Sequence, residues 1–121
     1  MSGINTFRDL IAWQKGMELA KLVYRLTQEF PDSERFGLIT QMRRAGVSIP
    51  SNIAEGYARG TRPEYIRFLR IARGSLAELQ TQLILAEQLN FMKPTQAINN
   101  PVAETDRVLQ GLLRSIERKK P

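Results

Sequence analysis

Apolar residues recur at alternating steps of three and four along four stretches of the chain, which is the spacing of one face of an α-helix. The pattern predicts helices over residues 10–29, 34–57, 63–90 and 101–119. No stretch alternates with the period of two that a strand requires. The third stretch is the most regular, with apolar positions at Leu69, Ala72, Leu76, Leu79, Leu83 and Ala86.

Short connections between the predicted helices favour packing of sequential helices as antiparallel neighbours. The predicted fold class is therefore all-α, an antiparallel up-down four-helix bundle with a kinked second helix. The chain of 121 residues is long enough for one core and fits a single domain over residues 1–121. Within it we expect an N-terminal arm at 1–9 and frayed residues at 120–121.

Prolines and capping residues indicate where the helices begin and bend. Pro50 predicts the kink in the second helix, because its ring nitrogen cannot donate to the carbonyl of Gly46. Residues suited to cap a helix precede each segment. They are Asp9, Ser33, Thr61 with Glu64 as its capping-box partner, and Asn100 followed by Pro101.

The apolar faces define a candidate core. The first helix is expected to bury a stripe of Leu10, Trp13, Met17, Ala20 and Tyr24, widened by Leu19, Val23, Leu26 and Phe30. The second helix is expected to bury a stripe of Leu38, Met42, Ala45, Ile49 and Ile53. Six aromatic residues fall on such faces and are expected inside: Trp13, Tyr24, Phe30, Phe36, Phe68 and Phe91. Tyr57 and Tyr65 lie among arginines, where they could pack at the bundle end or stack on a nucleobase.

The composition excludes most catalytic chemistry. The chain has no cysteine and no histidine, so disulfides, thiolate or imidazole metal sites and Ser-His or Cys-His pairs cannot form. We expect no enzyme, no catalytic residues, no metal and no cofactor. No apolar run could span a bilayer and no signal peptide is evident, so a soluble cytoplasmic protein is expected.

Positive charge is concentrated in the middle of the chain. The net charge is +6, and residues 35–73 carry eight arginines against only Glu55 and Glu64. Arginine suits bidentate phosphate contact, although a solvated surface that keeps the protein soluble is the competing interpretation. The candidate nucleic-acid-binding residues are Arg43, Arg44, Arg59, Arg62, Arg67, Arg70 and Arg73. A basic tail of Arg114, Arg118, Lys119 and Lys120 either complements the helix dipole or binds phosphate.

A second polar pattern interrupts the apolar faces of helices two and three. Its members could face each other across the bundle as a buried hydrogen-bond network that sets the register of the two helices. There are two alternatives: a metal or catalytic site built on oxygen ligands, and a contact with another subunit. The residues are Ser48, Asn52, Glu55, Ser75 and Glu78.

Several of these motifs together resemble a known family. The segments are 7–10 with Trp13, 41–45, 48–56 (Ser-Ile-Pro-Ser-Asn-Ile-Ala-Glu-Gly) and, in helix three, Phe68-Leu69, Ala72, Gly74-Ser75, Glu78-Leu79 and Gln82-Leu83. They resemble the four-helix-bundle proteins encoded in 23S ribosomal RNA intervening sequences. The resemblance implies a homopentamer. It also implies kinship with the accessory variability protein of diversity-generating retroelements, which binds a reverse transcriptase and nucleic acid. It implies no enzymatic activity.

The expected function is that of a non-catalytic, oligomeric, bacterial protein that contacts the RNA or DNA backbone with weak sequence preference. The alternative is a structural or adaptor oligomer that binds an acidic protein, and a reverse transcriptase is one possible partner. Apolar residues outside the main stripes indicate a second buried face and hence self-association. They are Phe68, Ile71, Leu85 and Leu89 on helix three and Leu19 and Leu22 on helix one.

Overall fold

The computed structural model describes residues 3–118, which form four α-helices. Two short 3-10 helices, Phe7–Asp9 and Asp32–Glu34, precede the first and second α-helices, and residues 3–118 contain no strand. The all-α prediction is confirmed. The predicted fraying of residues 120–121 and the tail residues Lys119 and Lys120 lie outside the described range. The helices are α1 (Ile11–Thr27), α2 (Leu38–Ala58), α3 (Arg62–Gln88) and α4 (Gln96–Glu117).

The helices form a square in which α1 and α3 each pack against both α2 and α4. Facing pairs run in opposite directions along α2 and α3: Ser48 meets Ser75, whereas Gly56 meets Phe68. Neighbours in the chain are therefore antiparallel neighbours in space. The predicted kink at Pro50 stays a prediction, and α2 continues through this proline as one helix.

The core lies where the four apolar faces meet. All six positions of the predicted α3 stripe are buried, as are the five predicted positions of α2. Two threonines in the core, Thr27 and Thr105, satisfy their hydroxyl groups by donating to the carbonyl four residues earlier, at 2.8 Å and 2.7 Å. Their polar atoms are therefore compatible with burial.

The buried face of α1 differs in part from the predicted stripe. Leu10 and Ala20 are buried as predicted, and Leu19 and Val23, predicted at the margin, are fully buried. Met17 and Tyr24 are exposed. The reason is that small residues, Gly16 and Ala20, let α2 approach α1 closely on one side, which leaves the flank carrying Met17 and Tyr24 outside. The spacing of apolar residues did not predict that the side of α1 carrying Met17 and Tyr24 would be exposed.

The aromatic residues divide into packed and exposed groups. Phe30 and Phe68 are buried, and Trp13 and Phe91 are half-buried against Phe7 and Phe30, with ring centroids 5.3 Å and 5.8 Å apart. The core prediction is wrong for Tyr24, which is 44% exposed, and for Phe36, which is 89% exposed. Phe36 lies before the start of α2, in the connection from α1, where no helix covers it.

The predicted caps of the first three helices act differently from what was expected. The carboxylate of Asp9 accepts from the backbone of Asn5 and Thr6, so it caps the 3-10 helix rather than α1. Ser33 lies inside a 3-10 helix, and Glu34 accepts from the amide of Leu38 at 3.1 Å at the start of α2 instead. At α3, Thr61 makes no side-chain capping hydrogen bond, so the predicted capping box is absent there.

Helix α4 begins earlier than predicted, at Gln96, and contains Pro101 rather than starting at it. The Thr95 hydroxyl accepts from the amide of Ala97 at 3.2 Å and caps the first turn. Ile98 and Val102 are both buried, one turn apart on either side of the proline. Packing of these two residues favours a continuous helix, and the carbonyl of Ala97, which Pro101 leaves without its amide donor, belongs to a solvent-exposed residue.

Candidate nucleic-acid interface

The seven candidate arginines lie on two sides of the bundle. Arg43 and Arg44 are on α2 beside α1, where Arg43 contacts Tyr24 and Thr27. The other five occupy the turn between α2 and α3 and the first half of α3, in part facing α4. They are Arg59, Arg62, Arg67, Arg70 and Arg73. The structure therefore brings together five of the seven and separates the other two.

At the α2–α3 turn, two arginines share one carboxylate. Glu64 lies 3.1 Å from Nε of Arg67 and 3.9 Å from Arg59, which also binds Glu55 at 2.8 Å. Hydrogen bonding to Arg67, followed by the charges of Arg67 and Arg59, lowers the pKa of Glu64. Both guanidinium groups lie over the Phe68 ring, 4.4 Å and 4.9 Å from its centroid. This packing holds the two cations at the surface in defined positions.

Farther along α3, the carboxylates come from α4. Arg70 binds Glu117, and Arg73 lies 3.9 Å from Asp106. The sequence near these arginines is poor in acidic residues, but the fold supplies acids distant in the chain. Exposed ion pairs of this kind contribute only about 0–1 kcal/mol each, so a phosphate group can compete for the guanidinium.

Three of the candidate arginines, Arg43, Arg44 and Arg62, have no ion-pair partner within residues 3–118. Arg62 lines a depression of about 280 Å³ together with Tyr57 and Tyr65. The two tyrosine rings pack edge to face with centroids 5.9 Å apart, and both are half-buried. Burial, with a smaller effect of Tyr57, raises the pKa of Tyr65 to about 12. Of the two interpretations of this pair, the geometry is that of packing at the bundle end.

Three of the five polar-network candidates come together between α2 and α3. The hydroxyls of Ser48 and Ser75 are 2.7 Å apart, and Asn52 donates to the carbonyl and hydroxyl of Ser48 at 2.8 Å and 2.9 Å. The two carboxylates bond elsewhere, Glu55 to Arg59 and Glu78 weakly to Gln82 at 3.4 Å. Residues 3–118 hold no cluster of three or more Asp or Glu side chains suited to a metal ion.

A groove between α1 and α2 was not anticipated from the sequence. Its volume is about 550 Å³, and none of its lining residues is acidic. The lining residues are Trp13, Met17, Ala20, Lys21, Tyr24, Arg25, Gln28, Val47, Pro50, Ser51 and Ala54. The sequence signal that could have found it is the set of small residues, Ala20, Ser51 and Ala54, on flanks that also carry large apolar side chains.

The fold and site define a class of protein: a basic four-helix bundle whose arginines lie at exposed helix faces. Across the described part of the chain, no helix is both long and apolar enough to cross a membrane. The chain belongs to the 23S rRNA-intervening sequence protein family, whose model matches residues 8–112.

Among solved structures, the chain is similar to a protein of unknown function from the S23 ribosomal protein family of Bacteroides thetaiotaomicron. The identity is 25%, the match covers 86% of this chain and 99% of that chain, and the TM-score is 0.75. No curated protein matches the chain. Family membership and this structural neighbour both agree with the predicted bundle.

Proposed function

We propose that the protein is a non-catalytic nucleic-acid-binding protein that contacts the RNA or DNA backbone through its arginines. The observation that carries the proposal is the excess of arginine over carboxylate in residues 35–73, eight against two, with most of these guanidinium groups on exposed helix faces. The family name supports an association with RNA.

Backbone contact rather than base reading follows from the form of this surface. Three arginines on α3, Arg67, Arg70 and Arg73, are spread along the helix. Each is paired with a carboxylate at the surface, which a phosphate can replace at little cost. Phosphate contacts position a protein on nucleic acid without specifying sequence. Affinity is therefore governed by charge and salt, with weak sequence preference.

The proposal includes a homo-oligomer in the cytoplasm, with the pentamer that the family resemblance implies. Of the residues offered for a second face, Phe68 and Leu19 belong to the subunit's own core. Ile71 and Leu85 on α3, and Leu89 directly after its last residue, remain exposed and support self-association through this helix. Repeating the arginines around a ring multiplies a modest subunit affinity.

The second candidate is an adaptor oligomer whose arginines bind an acidic protein, and a reverse transcriptase is the partner that the resemblance to retroelement accessory proteins suggests. The same exposed ion pairs would exchange with carboxylates of a partner. Competition separates the two: generic RNA and DNA bind and compete under the first proposal, whereas only one protein binds under the second.

The decisive variant replaces Arg67, Arg70 and Arg73 together by Gln. A matched control removes the same charge elsewhere, with Arg8, Lys93 and Arg107 replaced by Gln. Fluorescence anisotropy over a salt series should show that the first variant binds all sequences more weakly, with a salt slope reduced by about one for each phosphate that the protein no longer neutralises. Nucleic-acid binding by the control variant should be weakened much less. Undiminished binding, or a reduction confined to one sequence, would overturn the proposal.

A further inference from the structure

The groove between α1 and α2 continues past Tyr24 into a second depression of about 510 Å³. The two share Tyr24 and Val47, so the tyrosine ring stands between them. Apolar surface dominates the first depression, which Met17 and Pro50 also line. Neither depression has an Asp or Glu in its lining.

Arg43 is fixed against the Tyr24 ring. Its guanidinium carbon lies 4.6 Å from the ring centroid, and its Nε donates to the hydroxyl of Thr27 at 2.9 Å. That hydroxyl is buried and donates in turn to the carbonyl of Val23. A buried anchor therefore holds the guanidinium on the aromatic ring, while Tyr24 as a residue stays 44% exposed.

Cations line both walls of the groove, Lys21 and Arg25 on α1 and Arg43 and Arg44 on α2. Glu18 lies next to this set and binds Lys21 at 2.9 Å. The hydrogen bond and charge of Lys21, with smaller effects of Arg25 and Lys15, lower the pKa of Glu18. The groove is therefore a positive environment that favours a negatively charged occupant.

We infer that this groove binds single-stranded nucleic acid, with an unpaired base stacked on Tyr24 and flanking phosphates on Lys21, Arg25 and Arg44. The inference rests on the proposed function and adds to it the class of nucleic acid. Aromatic rings in a cationic groove are the common device for binding single strands, because every base has a flat apolar face. The Met17 thioether and the Pro50 ring supply further surface for a base.

Duplexes are excluded from this mode, because their bases are already stacked inside the helix. Apolar surface dominates the first depression, and the uncharged side chains there that can form hydrogen bonds are Trp13, Tyr24, Gln28 and Ser51. Binding there is therefore tolerant of sequence. Two features favour a nucleic acid over a protein helix as the occupant. Arg43 is held against the Tyr24 ring, and no acidic residue that would repel phosphate lines the groove.

The test compares three fluorescent probes at one salt concentration: a 20-nucleotide oligo(U), a 20-nucleotide oligo(dT) and a 20-base-pair RNA duplex. Tyr24→Leu removes the ring and Tyr24→Phe, the matched control, keeps it. We expect Tyr24→Leu to weaken binding to the single strands about tenfold and to leave duplex binding unchanged. Tyr24→Phe should bind all three probes like the wild type. The two single strands distinguish RNA from DNA as the ligand.

Trp13, the only tryptophan of the chain, lines the groove and provides an independent signal. Oligo(U) or oligo(dT) should change its emission, and the duplex should not. Ala54→Leu narrows the groove without altering Tyr24, and it should reduce single-strand binding even if Tyr24→Leu folds poorly.

Three results would overturn the inference while leaving backbone binding intact: equal affinity for single strands and duplex, wild-type single-strand affinity in folded Tyr24→Leu, or a Trp13 response to an acidic amphipathic peptide and none to either single strand. The last would assign the groove to a protein helix. Absence of binding to all three probes would overturn the proposed function itself and this inference with it.

Discussion

Replacing Gly56 with alanine would test the close approach of α2 to α3, on which the arrangement of the arginines around Phe68 depends. An alanine Cβ there would lie 2.7 Å from Cβ of Phe68 and 3.3 Å from the backbone oxygen of Tyr65. Carbon atoms in contact are about 3.5–4.0 Å apart, so the two helices would have to separate by about 1 Å.

The expected cost follows from two opposing effects. Overpacking of a well-packed core destabilises by about 1–3 kcal/mol, and the upper part of this range applies because Cβ of Phe68 cannot rotate away. Alanine is favoured over glycine inside a helix by about 1 kcal/mol. Steric repulsion therefore prevails, and Gly56→Ala should lower the free energy of unfolding by about 1–2 kcal/mol.

Gly74→Ala is the matched control, because Gly74 lies in α3 with nothing within 4 Å of the added Cβ. It should raise stability by up to about 1 kcal/mol. Urea unfolding followed by circular dichroism measures both variants, at one protomer concentration because self-association would shift the transition. A Gly56→Ala protein as stable as the wild type would refute the close approach of α2 and α3.

Two further predictions concern hydrogen bonds and pH. Thr27→Val removes the anchor of Arg43 and should lower the free energy of unfolding, measured in urea, by about 0.5–1.5 kcal/mol. The groove between α1 and α2 should also bind oligo(U) more weakly in this variant. Unchanged oligo(U) binding would show that Arg43 needs no anchor. Backbone hydrogen bonds from Asn5 and then Thr6 lower the pKa of Asp9, and Arg67 lowers that of Glu64. Because both pKa values are lower in the folded state, their stabilisation is present above the ordinary values of 3.8 and 4.5 and is lost as the pH falls through the folded values. The melting temperature should therefore fall between about pH 5 and about pH 3. It should fall less in the Asp9→Asn variant. A melting temperature that rises on acidification would contradict the lowered pKa values of Asp9 and Glu64.

Each motif that resembles the family consists of residues close together in the sequence. The 48–56 segment combines a proline, two serines and Asn52 in one helix, and the structure uses Ser48 and Asn52 with Ser75 to connect α2 and α3. Which of the five polar residues would take part was not predictable. Glu55 and Glu78 are as polar as the serines, but each bonds to a residue four positions later in the chain. Glu55 binds Arg59 at the end of α2, and Glu78 binds Gln82 within α3.

The sequence by itself determined the number and type of helices, because helical periodicity is a local property: the α3 stripe from Leu69 to Ala86 is buried as its spacing predicts. It also determined the positive charge of residues 35–73 and the absence of cysteine and histidine chemistry. Only the tertiary structure decided which carboxylates face those arginines, since Glu117 reaches Arg70 across 47 positions of the chain. It also extended α4 through Pro101, because burying Ile98 and Val102 together outweighs one lost backbone hydrogen bond. The exposure of Tyr24 was decided in the same way. Among the α-helices of residues 3–118, α1 packs against α2 and α4, so the flank that carries this ring borders an open groove rather than a fifth helix.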